Sequence, residues 1–600
     1  MWLDLKNAFG SVRHELLIHS LRLAHIPDHI INYVERFYQN IRVCKKTTNF
    51  VTKAINLKVG VFQGDTLSPV LFLMAINPIL QTIQQASHTG YDFRGRQVIQ
   101  LAFADDLTLC FKNKKTAQRQ LTDINNTFDS VGLTLKPQKC KSLSICSGKV
   151  TDISFKLRDE QINNIQNTHF KFLGTYIFSH RQRSQATNLL NGDLKKYLRK
   201  VDDLPIRGSY KIKIYSLYVT SMLRFPLMVQ DLSTSGLSNL DKVTTKFIRK
   251  WTKIPHSTTT GLLRHKNGMN LQLPSDLYDC GHLGIESNPS DNTVKDAIAE
   301  KVEHPQAIRS TYREHVRGTN HTANRESLEQ ERNNELERHA ANQVSQGQWA
   351  DLLDLKAKET SFKSLLNGLS EATFRWLHKA STDTLPCGSY LKRINRITDN
   401  ACHLCGHKPE SLKHVLNSCQ FSLRNGRYGW RHDSVLQYLR DALQAHVGNS
   451  QNTTITADLP NMYSGGAAQS VNTIPEDVLL TEQRPDITLI DREARNITLI
   501  ELSICWDQDN AQARARKENR YEPLISEIIE RRWKANLITL EIGSRGFSGN
   551  STANALKKLL PSKRIRGSTL TKLNQIAINC SHKIFQERSN ELWIPLSLMS

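Results

Sequence analysis

Over residues 1–180, short apolar runs that predict strands alternate with longer stretches of helical periodicity, the mixture expected of an α+β domain. Two of the strand-like runs are interrupted by acids. Trp2-Leu3-Asp4-Leu5 carries Asp4. Leu101-Ala102-Phe103-Ala104-Asp105-Asp106-Leu107 carries two adjacent aspartates and then turns apolar again at Leu109, Cys110 and Phe111. Between them, the glycine-flanked polar turn Gly60-Val61-Phe62-Gln63-Gly64-Asp65 leads into a long apolar stretch that predicts a helix over 67–80. Residues 185–255 predict helices, with Leu194, Tyr197, Leu198 and Val201 on one stripe and Ile214, Leu217, Tyr218 and Met222 on another. Residues 286–345 are polar and charged, a long helix or a linker, and residues 448–475, rich in Asn, Thr, Gly and Ser, predict a loop. Near the C-terminus, 484–490 and 497–503 predict two adjacent strands joined by the turn Asp491 to Asn496, followed by a basic helical stretch with Arg514, Arg516, Lys517, Arg520 and Tyr521.

At 600 residues the chain is too long for one core, and three or four domains are expected. The net charge of +23 suits a polyanion, so nucleic acid is the expected partner. No apolar run reaches 18 residues and the N-terminus lacks a signal-peptide layout, so no membrane contact is expected. The 11 cysteines, an odd number, argue for reduced thiols and a metal site rather than a disulfide framework.

Carboxylates inside apolar runs are costly without a cation, and a divalent metal is the natural partner for hard oxygen ligands. Asp4, Asp105 and Asp106 are therefore candidate ligands of magnesium (or manganese). The Asp105-Asp106 pair taken alone also fits a turn closing a hairpin. Cys402-x2-Cys405-x8-His414-x4-Cys419 has the ligand types and spacing of one tetrahedral zinc, against the alternative of buried reduced cysteines. Asp486 and Glu501, one on each C-terminal strand, can meet at a further magnesium, with Lys517 stabilising developing charge, against the alternative of a hairpin with surface acids.

Taken in order, DLKNAF at 4–9, QGDTLSP at 63–69 and FADD at 103–106 resemble motifs A, B and C of a reverse transcriptase palm. Gly132 to Cys140 resembles motif D, and Phe172-Leu173-Gly174 the primer-grip hairpin. Leu283-Gly284-Ile285 resembles a short motif beyond the thumb. The cysteine–histidine cluster resembles the CCHC knuckle of non-LTR retrotransposon proteins, and Arg431-His432 an Arg-His pair downstream of it, where His432 is read as structural or in contact with nucleic acid. Arg484 to Ser503 resembles a restriction-like PD-(D/E)xK nuclease. Ser503 stands where the usual lysine would be, and Lys517-Glu518-Asn519-Arg520-Tyr521 matches the displaced lysine segment.

The resemblance implies an α+β multidomain protein. Its expected parts are a palm at 1–180, a helical thumb at 185–255, a helical linker region at 256–395, a zinc-knuckle region at 396–445, an α/β nuclease at 476–560 and a C-terminal extension at 561–600. It implies an RNA-directed DNA polymerase with a DNA endonuclease, acting in the nucleus on the element's RNA template, target DNA and deoxynucleoside triphosphates. Asp4, Asp105 and Asp106 would be catalytic. Phe9 would exclude a ribose 2′-OH, Gln63 would lie beside the incoming nucleotide, and Lys139 would protonate the leaving pyrophosphate. Motif A begins at residue 4, so a reading frame truncated before the fingers is expected. Gly10 replaces the second aspartate common in motif A. A catalytically dead or host-adopted nucleic-acid-binding remnant is the alternative.

Overall fold

A computed structural model describes residues 1–85, 89–93, 95–166, 168–180, 182–286, 321–343, 345–355, 362–447, 453–459 and 474–594. They divide into two compact units. The first comprises 1–190 and 225–234, and the second 191–224, 235–286 and 321–594.

In the first unit, β1 (Trp2–Asp4) is the middle strand of a five-stranded sheet. A basic ribbon, β2 (Arg42–Val43) and β3 (Ile55–Asn56), stands apart from that sheet. The sheet continues with β4 (Gln100–Phe103), β5 (Asp106–Leu109), β6 (Lys141–Ser142) and β7 (Asn163–Asn164), in the order β7-β6-β1-β5-β4. Side chains alternate faces along a strand. Leu3, Leu107 and Leu109 point into the core, and Asp4 and Asp106 point the other way. The core is closed by α1 (His14–Leu23), α2 (Asp28–Asn40), α3 (Ser68–Gln85) and α4 (Lys114–Ser130). Helix α3 buries Leu71, Phe72, Ala75, Ile76, Ile79 and Ile83, the spacing of one helical face, and runs five residues past the expected end at 80. Asn113 caps α4 by accepting from the Thr116 amide at 2.9 Å. The hairpin β8 (His169–Phe172) and β9 (Thr175–Phe178) turns through Leu173 and Gly174, both left-handed, the geometry of a two-residue hairpin turn. Phe170 and Phe172 meet Trp2 edge-on at 5.0 and 6.4 Å, fastening the hairpin to β1.

Four helices follow: α5 (Arg183–Asp202), α6 (Gly208–Ile214), α7 (Thr220–Val229) and α8 (Thr234–Thr252). Leu194, Leu198 and Val201 are buried, as their spacing predicts. The second stripe is different. Ile212, Tyr215, Val219 and Leu223 are buried, while Leu217, Tyr218 and Met222 are exposed. This segment is apolar on more than one side, and a π-helical turn at Tyr215–Val219 shifts the phase. The Tyr215 hydroxyl donates to the Gln272 carbonyl at 2.6 Å, drawing that side inward. Of the polar run at 286–345, His321–Ala341 is helical and 287–320 lies outside the described residues. The Leu283-Gly284-Ile285 segment falls within the helix Pro274–Glu286.

The C-terminal sheet has the order β10-β11-β12-β13, from β10 (Thr453–Ala457), β11 (Ile487–Asp491), β12 (Asn496–Cys505) and β13 (Lys534–Gly543). β10 falls inside the segment expected to be a loop. Its Thr-Thr-Ile-Thr sequence is β-branched and pairs antiparallel with β11, although its polar composition suggests a turn region. β12 runs antiparallel to β11 and parallel to β13, with α9 (Asn510–Glu530) as the crossover. One face packs Ile500, Leu502, Leu540 and Ile542 against Val435, Leu439, Leu556, Leu573 and Ala577. The other packs Ile497 and Leu499 against Tyr521, Leu524 and Ile528. Burial on both faces explains why apolar residues occupy both sides of β12, Ile497 and Leu499 on one and Ile500 and Leu502 on the other. The core therefore draws in the helices Arg427–Val447 and Lys563–Gln586, outside the 476–560 span expected for this domain.

Candidate active sites and metal cluster

In the first unit, Asp4 on β1 lies directly across from Asp106 on β5. Asp105 sits beside them in the two-residue turn joining β4 and β5, where Ala104 is left-handed at φ 53°. Three carboxylates separated by about a hundred residues in sequence thus gather at one end of the sheet. Burial raises the Asp106 carboxyl above its usual range, and the charges of Asp105 and Asp4 add to the shift against the opposing pull of Lys139. Lys139 reaches Asp4 Oδ1 at 3.4 Å. It is held there because the Lys136 amide donates to the Asp4 carbonyl at 2.9 Å and the Lys139 amide to the Lys136 carbonyl at 3.0 Å. Phe9 follows a left-handed Asn7 and stacks on Phe72 of α3, with centroids 4.6 Å apart and planes within 12°. The Val61 amide donates to the Phe9 carbonyl and the Gly60 amide to the Val12 carbonyl, both at 2.8 Å. Gly60 has φ +98°, and a Cβ there would stand 3.0 Å from the Gly10 backbone, so the two loops meet backbone to backbone. Gln63 is exposed in the turn before α3, next to Asp65, which accepts from the Ser68 hydroxyl at 3.1 Å.

In the second unit, Asp486 and Glu501 are joined through the backbone of their own strands. The Asp486 amide donates to Glu501 Oε1 at 3.1 Å, and the Leu502 amide to Asp486 Oδ2 at 2.7 Å. Lys517, about two turns into α9, pairs with Glu501 Oε2 and lies 3.7 Å from Asp486 Oδ2. The Glu501 carboxyl is raised by burial and by the Asp486 charge, against Lys517. Burial also pushes Asp486 upward, but His432 and Lys517 outweigh it and hold that carboxyl below its usual range. His432 Nε2 stands 3.5 Å from Asp486 Oδ2, and its Nδ1 is 3.1 Å from Asp433 Oδ1. Burial lowers the imidazole, yet Asp433 and Asp486 together lift it to about 10, so it is an imidazolium at neutral pH. The sequence displays the Arg431-His432 pair but gives no sign that it faces Asp486, because His432, on the helix Arg427–Val447, lies more than fifty residues upstream of that acid.

Cys402, Cys405, His414 and Cys419 bring their ligand atoms within 4.8 Å of one another. Cys402 Sγ is 4.0 Å from Cys419 Sγ, and Cys405 Sγ is 3.3 Å from His414 Nε2. A tight turn makes this approach. The Gly406 amide donates to the Cys402 carbonyl at 2.9 Å, with Gly406 at φ +71°. Tyr428 locks the far side, its hydroxyl donating to the Val415 carbonyl at 2.9 Å and accepting from the Cys419 amide at 3.0 Å. The donor set and its compactness fit one tetrahedral Zn²⁺.

Compared with known protein families, residues 1–177 match the family described as Reverse transcriptase (RNA-dependent DNA polymerase). Residues 1–177 are a reverse transcriptase domain. The chain is also 24% identical over 466 residues to the "Retrovirus-related Pol polyprotein from type-1 retrotransposable element R2" of Nasonia vitripennis, covering 74% of this chain and 42% of that relative. It is 27% identical over 258 residues to the R2 polyprotein of Popillia japonica, 41% of each chain. It is also 24% identical over 261 residues to the type-2 R2DM polyprotein of Drosophila melanogaster, 42% of this chain and 24% of that one. The chain is thus a relative of non-LTR retrotransposon reverse transcriptases and spans less than half the length of these proteins. In the reverse transcriptase domain, Asp4, Asp105, Asp106 and Lys139 lie together, and Phe9 is fixed by its stack on Phe72 and by the Val61 amide. Among the described residues, no helix is long and apolar enough to cross a membrane.

Proposed function

We propose that this chain copies an RNA template into DNA at the Asp4–Asp105–Asp106 site and nicks DNA at the Asp486–Glu501–Lys517 site, the two activities of target-primed reverse transcription. The observation that supports polymerisation most is the cross-strand pairing of Asp4 with Asp106, with Asp105 in the adjoining turn. These carboxylates would hold magnesium or manganese, which activates a primer 3′-OH and offsets charge on the transferring phosphoryl group. Lys139, 3.4 Å from Asp4, would give a proton to the leaving pyrophosphate. Phe9, stacked and backbone-anchored, presents a rigid ring suited to excluding a ribose 2′-OH. Substrates are the element's RNA, target DNA and deoxynucleoside triphosphates, and the site of action is the nucleus.

At the second site, Asp486 and Glu501 would bind a divalent ion that polarises the scissile phosphate. Lys517 compensates charge there, and His432 fixes the Asp486 carboxylate. Cys402, Cys405, His414 and Cys419 would hold a structural zinc.

Primer extension on an RNA template tests the first reading. Synthesis by the parent chain, abolished by Asp105→Asn, is expected. Absence of synthesis in the parent with RNA binding retained would favour a nucleic-acid-binding remnant. For the metal cluster, about one zinc per chain is expected, falling by at least half in Cys405→Ser; a content that does not change would refute the site.

A further inference from the structure

The ribbon between α2 and the Gly60 turn takes no part in the chemistry above. Between residues 42 and 58 it carries five cations, Arg42, Lys45, Lys46, Lys53 and Lys58, and no acid. All five are exposed, and among the described residues none enters an ion pair. The ribbon is ordered to its tip. Lys46 bridges Val51, the Thr52 amide donates to the Lys45 carbonyl at 3.0 Å, and the Thr47 amide to the Phe50 carbonyl at 2.9 Å. The Thr47 hydroxyl accepts from the Phe50 amide at 3.2 Å, so the tip is a built turn. That turn holds Phe50 outward at 61% exposure, with Val51 at 59% beside it. A large ring held in water by a braced turn has no folding purpose, and a charge this one-sided repels itself unless an anion covers it.

We propose that this ribbon binds single-stranded nucleic acid, its cations on the phosphates and Phe50 stacked on an unpaired base. Cationic tracks with an aromatic platform are the chemistry of single-strand binding. A duplex does not satisfy the ring, because its bases are already stacked and the A-form major groove is too deep and narrow to read. The ribbon's root also places it. Val59 bridges Arg13, and the Gly60 amide bonds the Val12 carbonyl, so the ribbon grows from the loops that hold Phe9 and lead to Gln63. A strand lying on it would be template not yet copied. That last assignment rests on the polymerase reading, whereas single-strand binding does not.

Fluorescence anisotropy with the full chain tests the proposal, using an unstructured RNA, a blunt RNA–DNA hybrid and a hybrid with a 5′ template overhang. In the parent, the overhang hybrid is expected to bind tighter than the blunt one. Phe50→Ala should weaken single-strand binding by about 5- to 100-fold and leave blunt-hybrid binding unchanged. Phe50→Trp should restore it. Combined Lys45→Ala, Lys46→Ala and Lys53→Ala should reduce the slope of log affinity against log salt by about 2, about 0.7 for each cation removed. Single-strand affinity unchanged in Phe50→Ala, or an equal loss on the blunt hybrid, would overturn the proposal. Loss on the single strand with no preference for the overhang would keep the ribbon's role and remove the template assignment alone, the polymerase reading being decided separately by primer extension.

Discussion

His378 is fully buried in the helix Glu371–Ser381, with neither ring nitrogen hydrogen-bonded. Burial, aided by the Arg249 charge, lowers it from its ordinary 6.5 to about 3. The unfolded chain takes up this proton near pH 6.5 and the folded chain refuses it, so stability is full above pH 6.5 and falls on acidification towards pH 3. The loss is about 1.4 kcal/mol per pH unit in that window. Urea midpoints of the parent should fall steeply between pH 6.5 and 4, and those of His378→Phe less so; parallel curves would refute the assignment. At the nuclease-like site, Lys517 contacts both acids, while Arg516 and Arg520 are exposed. Neighbouring arginines are therefore not expected to rescue Lys517→Ala. Asp486→Asn, Glu501→Gln and Lys517→Ala should each lower plasmid nicking on the order of 100-fold, equivalent to a few kcal/mol of barrier. Nicking by Asp486→Asn at the parental rate would leave the acids as structural groups. Asp4, Asp105, Asp106, Asp486 and Glu501 stand out in the sequence because acids inside apolar strands need a reason. His432 does not, because a histidine early on an amphipathic helix looks the same whether it faces solvent or a carboxylate.

Strands β12 and β13 are tied together at their ends by a fully buried ion pair, Arg545 Nε to Asp507 Oδ2 at 2.8 Å. Asp507 also accepts from the amides of Arg545 at 3.3 Å and Phe547 at 3.2 Å, and the guanidinium lies 3.9 Å from the centre of the Trp506 ring. Removing one partner strands the other charge. Asp507→Ala should cost about 3–5 kcal/mol of unfolding free energy, and replacing both partners by apolar residues of similar size much less. Chemical denaturation of the three chains measures this; equal losses in all would show that packing, and not charge, sets the cost. Elements were legible in the sequence where one period dominated, as in α3. They were misleading where two registers competed. The stripe Ile214–Met222 fits a helix as well as the one buried instead, and only the π-helical turn and the Tyr215 hydrogen bond choose between them. β10 was hidden by threonine, which suits strands and turns alike.

Across the whole chain, the two acidic sites belong to separate compact units. Asp105→Asn should abolish extension and spare nicking, and Asp486→Asn should do the reverse. Parallel assays on the two variants check this, and joint loss in either would show that the activities are not separable. The C-terminal core recruits helices from both sides of its sheet, and no local pattern in the sequence announces such long-range packing. One junction in that core has a pharmacological consequence. Arg431 donates to the Leu416 carbonyl at 2.9 Å, in the turn that begins at His414, and the next residue, His432, faces Asp486. Asn417 adds a bond to the Ile504 carbonyl at 3.3 Å. Two poisons of cleavage should then differ in tempo. Withdrawing magnesium should stop nicking at once and reversibly. A thiol-directed reagent, or a chelator that strips zinc slowly, should inhibit progressively, with a lag that added magnesium does not shorten.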